Sequence, residues 1–138
     1  IKTVYYDDAN FVLADGTIMT LQASGHDEGK GWCANGQPAS LNSFWSSYYG
    51  KCGIIYVDIN GLKGPNTYGK DLFDFKIFRN GIQPTGLKID TIHANAFYQQ
   101  CATGKGSDCT GWVLLNKNLD YLHCPDKLGW DKSSNCKD

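Results

Sequence analysis

The chain reads as an α+β domain: an antiparallel β-sheet of about four strands carrying long loops pinned by disulfides. Three observations predict this class. Short runs rich in β-branched and aromatic residues recur between turn sequences such as Ala14-Asp15-Gly16, Asn60-Gly61 and Asn80-Gly81. Six cysteines stand in 138 residues, an even and high count that reads as three disulfides formed in an oxidising compartment. A chain of this length also makes a single domain, residues 1–138, long enough to bury most of an ordinary core.

The first element is a hairpin, Phe11–Ala14 against Thr17–Leu21, turned by Asp15-Gly16. Next comes "SGHDEGKGWCANGQPASLNSFWSSYYGKCG", dense in Gly, Ser and Asn. A structureless stretch so long needs a tether in a compact domain, and a Cys33–Cys52 bridge supplies one. "GIIYVDIN" is the central strand, continuous and apolar from Ile54 to Val57. In "DLFDFKIFRNG", Leu72, Asp74 and Lys76 fall on one face and Phe73, Phe75 and Ile77 on the other. "GIQPTGLKI" allows one more short strand, and Asp90 to Cys101 a short helix or an irregular excursion. The apolar run Trp112–Leu115 is followed by the turn-like "NKN" and then by Leu119 and Leu122. The whole reads as a sheet with pinned loops. Six cysteines allow 15 connectivities. Beside Cys33–Cys52, the short closures Cys101–Cys109 and Cys124–Cys136 fit the other four.

Composition excludes several function classes. With 41% apolar and 13% aromatic residues the chain is not of the disordered type. Its 13 basic and 14 acidic residues leave a formal charge of -1 without long blocks, and Arg79 is the single arginine. No nucleic-acid partner is expected, because phosphate binding needs clustered cations. No apolar run approaches the roughly 20 residues of a membrane span. No CxxC pair and no zinc-finger histidine spacing occurs.

Catalysis finds little to work with. His26, His93 and His123 lack an obvious partner, and no GxSxG elbow frames Ser40, Ser43, Ser46 or Ser47. Glu28 is the one glutamate, so a glutamate pair for glycoside hydrolysis is excluded. The chain is not expected to be an enzyme. Trp32, Trp45, Tyr48, Tyr49, Trp112 and Trp130 suit either a sugar groove or packing around bridged loops.

"VDINGLKGPNTYGKDLFDF" gathers oxygen donors: Asp58, Asn60, Asn66, Asp71 and Asp74. It is not an EF-hand. Counted from Asp58, the sixth position is Lys63 where glycine is needed, and the twelfth is Gly69 where a glutamate belongs. Either a calcium ion collects these oxygens, or Asx side chains cap their own backbone.

Taken in order, "FVLADG" (Phe11–Gly16), "DINGLKGPN", "YGKDLFDFKIFRNG", "CTGWVL" (Cys109–Leu114) and an N-x-x-x-D-Y-L tail (Asn116–Leu122) are similar to the soluble domains of bacterial type IV pilin-like proteins. That family includes the pseudopilins of type II secretion. The resemblance runs from about Phe11 to Leu122. It implies a long N-terminal helix packed on a four-stranded antiparallel sheet, that helix being largely or wholly missing from this chain. It implies a structural filament subunit whose partners are other pilin or pseudopilin subunits. A prepilin peptidase and the inner membrane would be engaged through the missing N-terminus, and the head would lie at the cell surface or in the periplasm. The alternative is an adhesin-like minor pilin head that binds a glycan or surface ligand. In the pseudopilins a loop calcium is implied, carried here onto Asp58, Asn60, Asn66 and Asp71. Six cysteines depart from that pattern, so bridges take over part of the stabilisation.

Overall fold

A computed structural model describes residues 8–23, 51–78, 81–87 and 97–137. Among these residues, five strands form one antiparallel meander in chain order: β1 (Asp8–Val12), β2 (Ile18–Ala23), β3 (Lys51–Asp58), β4 (Leu72–Phe78) and β5 (Gly81–Pro84). That is one strand more than the resemblance implies.

The expected hairpin forms at the expected turn. Leu13 and Thr17 pair across a three-residue loop, the Gly16 amide donates to Leu13 O at 2.9 Å, and Gly16 takes φ +92°. A type I turn followed by one left-handed residue matches strand twist, and glycine enters that region without a Cβ penalty. The Thr17 amide also donates to Asp15 Oδ1 at 3.0 Å, holding that carboxyl below its usual range.

β3 and β4 are aligned with Tyr56 opposite Asp74 and Val57 opposite Phe73. Between Lys51 and Gly53 the register shifts, so Cys52 is the extra residue of a bulge. Cys52 is disulfide-bonded, and its expected partner Cys33 lies outside the described residues. Alternation then sorts the strands into two faces. One carries Met19, Leu21, Ile55, Val57, Phe73, Phe75 and Ile77 and is wholly apolar. The other mixes Thr20, Gln22, Tyr56, Asp58, Asp74 and Lys76 with Ile18, Ile54 and Leu72. Side chains on the apolar face are half-buried.

Among the described residues, the most deeply buried cluster lies elsewhere. Residues 97–137 form a compact module: a π-helical stretch at Phe97–Ala102, helix α1 at Thr110–Asn116, and two 3-10 turns at Asp120–Leu122 and Pro125–Lys127. Phe97, Cys101, Cys109, Trp112, Tyr121 and Leu128 cluster at its centre. Trp112 stacks on Phe97 at 4.2 Å between ring centroids, and Trp130 closes on both. The indole Nε1 of Trp112 donates to Asn118 Oδ1 at 3.1 Å, so burial leaves it satisfied. Cys101–Cys109 and Cys124–Cys136 are both bridged, with Cα–Cα distances of 4.9 and 5.9 Å. These are the two short closures expected from spacing. The run Trp112–Leu115 is helical, although seven residues are too few for a helix to stand alone. The Cys109 bridge and the buried Trp112 hold it, and Lys117 ends it in the left-handed region at φ 55°.

The module docks on the sheet beyond the end of β5. The Gly111 amide donates to Thr85 O at 2.8 Å, and the Asp74 amide donates to Thr110 Oγ1 at 3.0 Å. A Cβ on Gly111 would come within 2.8 Å of the Leu87 nitrogen, so glycine lets the helix approach the chain leaving β5. Among the described residues no helix is long and apolar enough to cross a membrane.

Candidate functional site

The loop from Asp58 to Leu72 joins β3 to β4 and arches over the mixed face of the sheet. Backbone contacts pin it at both ends. At one end Gly61, at φ +61°, lies so near the β1–β2 turn that a Cβ would sit 2.2 Å from Gly16 O. At the other end a Cβ on Gly106, at φ +78°, would sit 2.0 Å from Tyr68 O. No side chain fits either gap. The buried Tyr121 hydroxyl donates to Gly69 O, tying the loop to the module, and burial pushes its pKa up.

Inside the loop the oxygen donors serve the chain itself. Asp58, only 7% exposed, accepts the Asn60 and Gly61 amides on Oδ1 at 3.3 and 3.0 Å. Asp71 accepts the Thr67 amide on Oδ1 and Asn60 Nδ2 on Oδ2, the latter at 2.9 Å. Three of the four residues named for calcium are thus close together, Asp58 as an Asx turn and Asn60 with Asp71 as a side-chain pair across the loop. Asn66 is exposed and lines the same groove as Asp58. Asn60 Oδ1 is the one oxygen of the set that is buried without a partner. It suits a cation, whereas both Asp71 oxygens already accept N–H groups, which a cation would displace. Among the described residues no three His, Cys, Asp or Glu side chains are grouped to hold a metal. Asp74, the fifth donor of the stretch, belongs to β4 instead.

Under the arch is an open groove of about 560 Å³. Its floor is Ile18 and Thr20 of β2, Tyr56 and Asp58 of β3, and Leu72 of β4; its roof is Gly61, Leu62, Gly64, Asn66 and Tyr68. Tyr56 and Tyr68 meet edge to face, with centroids 6.4 Å apart and planes at 66°. Beside them Asp74 accepts the Thr85 hydroxyl on Oδ2 at 2.7 Å, while its Oδ1 is buried without a partner. Burial raises the Asp74 pKa, the Thr85 bond opposes the shift and Asp108 adds to it. Tyr68 is raised as well, by burial and then by the nearby Asp74 charge.

The other sequence candidates divide. Trp112 is 1% exposed and packs in the module core with the partly buried Trp130; neither lines the groove beneath the 58–72 loop. His123 is exposed beside the Cys124 bridge. Trp32, Trp45, Tyr48, Tyr49, His26, His93 and the four serines lie outside the described residues. Sequence reading missed the tyrosine pair. Tyr56 sits in a strand read as core, and Tyr68 in a stretch read only for its oxygens. Tyr56 does alternate with Asp58 and Ile54 along β3, a period-two signal that marks the mixed face.

No family model matches the chain, and no curated protein and no solved structure matches it.

Proposed function

We propose that the chain is the head of a structural subunit of a type IV pilus-like or type II secretion pseudopilus filament. One observation carries the reading: the wholly apolar sheet face, from Met19 and Leu21 through Ile55 and Val57 to Phe73, Phe75 and Ile77, is only half-buried. An antiparallel sheet with one such face requires a cover, and each 100 Å² of apolar surface removed from water is worth about 2.5 kcal/mol. In pilin-like proteins that cover is the long N-terminal helix, which also anchors the subunit in the inner membrane and builds the filament core. The head would then present its loops and bridged module at the cell surface or in the periplasm, with other subunits as partners. No reaction and no cofactor is part of this reading.

The test is made in the source cells. Antibody raised against residues 1–138 is expected to label filaments sheared from the surface, or periplasmic pseudopili, and deletion of the gene is expected to abolish them. Finding the protein only in monodisperse soluble form, with filaments intact in the deletion strain, overturns the proposal.

A further inference from the structure

We propose that the groove between the mixed face and the 58–72 loop is a binding site for a neutral carbohydrate, with Tyr56 and Tyr68 as its stacking platform and Thr20, Asp58 and Asn66 as its hydroxyl partners. The site stands on its own geometry and does not depend on the filament reading.

Size comes first. About 560 Å³ lies within the roughly 300–1,000 Å³ of small-molecule clefts. The loop that forms the roof is fixed by Gly61 against Gly16 and by Tyr68 and Gly69 against Gly106, so the groove is preformed and loses little entropy on binding.

The lining then selects the ligand class. Among the described residues no Lys or Arg lines the groove, and Asp58 lies in it with Asp74 close behind Tyr68, so phosphate, sulfate and sialylated or uronic sugars are disfavoured. A wholly apolar ligand would strip water from Thr20, Asp58 and Asn66 and return no hydrogen bonds. A quaternary ammonium needs a cage of ring faces, but here one tyrosine edge already occupies the other's face. An extended peptide has no free ladder to join, because the floor strands β2, β3 and β4 are interior to the sheet and paired on both sides. A pyranose ring meets every condition. Its C–H face lies on a tyrosine, and its hydroxyls both donate and accept, as the threonine hydroxyl, amide and carboxylate around them require. Leu62, 96% exposed at the rim, extends the apolar contact to a second sugar.

The experiment uses the whole chain and saturation-transfer NMR with cellotetraose, maltotetraose and chitotetraose, and with sialyllactose as the anionic control. Transfer to at least one neutral tetrasaccharide is expected, with none to sialyllactose. Tyr68→Ala is expected to weaken that binding about tenfold, the affinity equivalent of one lost stacking contact. Asn66→Ala, at an exposed position, guards against a folding artefact and is expected to weaken binding while leaving the thermal midpoint unchanged. Silence with all three neutral sugars overturns the proposal. So does stronger binding of sialyllactose, or neutral-sugar binding that both substitutions leave intact.

Discussion

The sheet and the C-terminal module are built from similar residues and reach different degrees of closure. On the sheet's apolar face, Phe73, Phe75, Ile55 and Val57 are half-buried. In the module, Phe97, Trp112, Tyr121 and Leu128 are each no more than 3% exposed. Among the described residues, no side chain of the sheet's apolar face reaches the burial of the module core. The module wraps its apolar residues in three dimensions and locks the wrapping with two bridges. The lesson is that strand pairing alone does not close a core; a second layer does. Among the described residues, the second layer of the module is local, built from residues 97–137.

The largest test of the contrast truncates one aromatic in each region. Trp112→Ala, at the centre of the module, is expected to cost about 3–5 kcal/mol, and Phe75→Ala on the sheet face less than half of that. Urea unfolding of both variants checks this, and equal losses would mean that the two regions are equally closed.

A smaller effect tests the link between the regions. Tyr121→Phe keeps the ring but removes the hydroxyl that donates to Gly69 O, leaving that carbonyl unpaired. A loss of about 1–3 kcal/mol is expected. Amide exchange at 67–72 should rise more than exchange in α1, since the change releases the loop and not the module.

Asp74 sits on the seam, and its effect depends on pH. Burial raises its folded pKa above the usual 3.8, so the folded state holds the proton more tightly than the unfolded one. Stability from this group is therefore fully present below the unfolded pKa and falls as pH rises to the folded value; above that it is a fixed cost. Asp74→Asn keeps an oxygen for the Thr85 hydroxyl and is expected to raise the thermal midpoint at pH 7. The gain should shrink to nothing below about pH 3.5, near the unfolded carboxyl range. A midpoint lowered equally at both pH values would assign Asp74 a purely structural role.

The smallest expected effect is that of calcium. Because Asp58 and Asp71 already accept loop N–H groups, millimolar calcium against chelator is expected to move the thermal midpoint by less than about 1 °C. A larger rise that vanishes in Asp58→Ala would assign the ion to this loop and make it a third clamp beside the bridges and Tyr121.

Local signals made much of this legible. Asp15-Gly16 specified the hairpin because a left-handed glycine is a property of the turn itself. Alternation in Leu72–Phe78 gave the two faces of β4, and the spacings of Cys101–Cys109 and Cys124–Cys136 suited short closures. The Asx reading of Asp58 was also local, since its partners are two and three residues away. Helix α1 was not legible, because a short apolar run has the same pattern in a strand and in a buried helix. Nothing in the run Trp112–Leu115 records that Phe97 and Trp130 will enclose it.

By itself, then, the sequence determined the elements whose causes lie within a few residues: turns, strand alternation, Asx caps and short disulfide loops. Tertiary structure decided everything that joins distant segments. Tyr121 meets Gly69 across 52 residues, Thr110 meets Asp74 across 36, and Tyr56 and Tyr68 become a groove only when the loop is held down from both ends. Such contacts depend on burial and on the approach of one backbone to another, which no window of sequence contains.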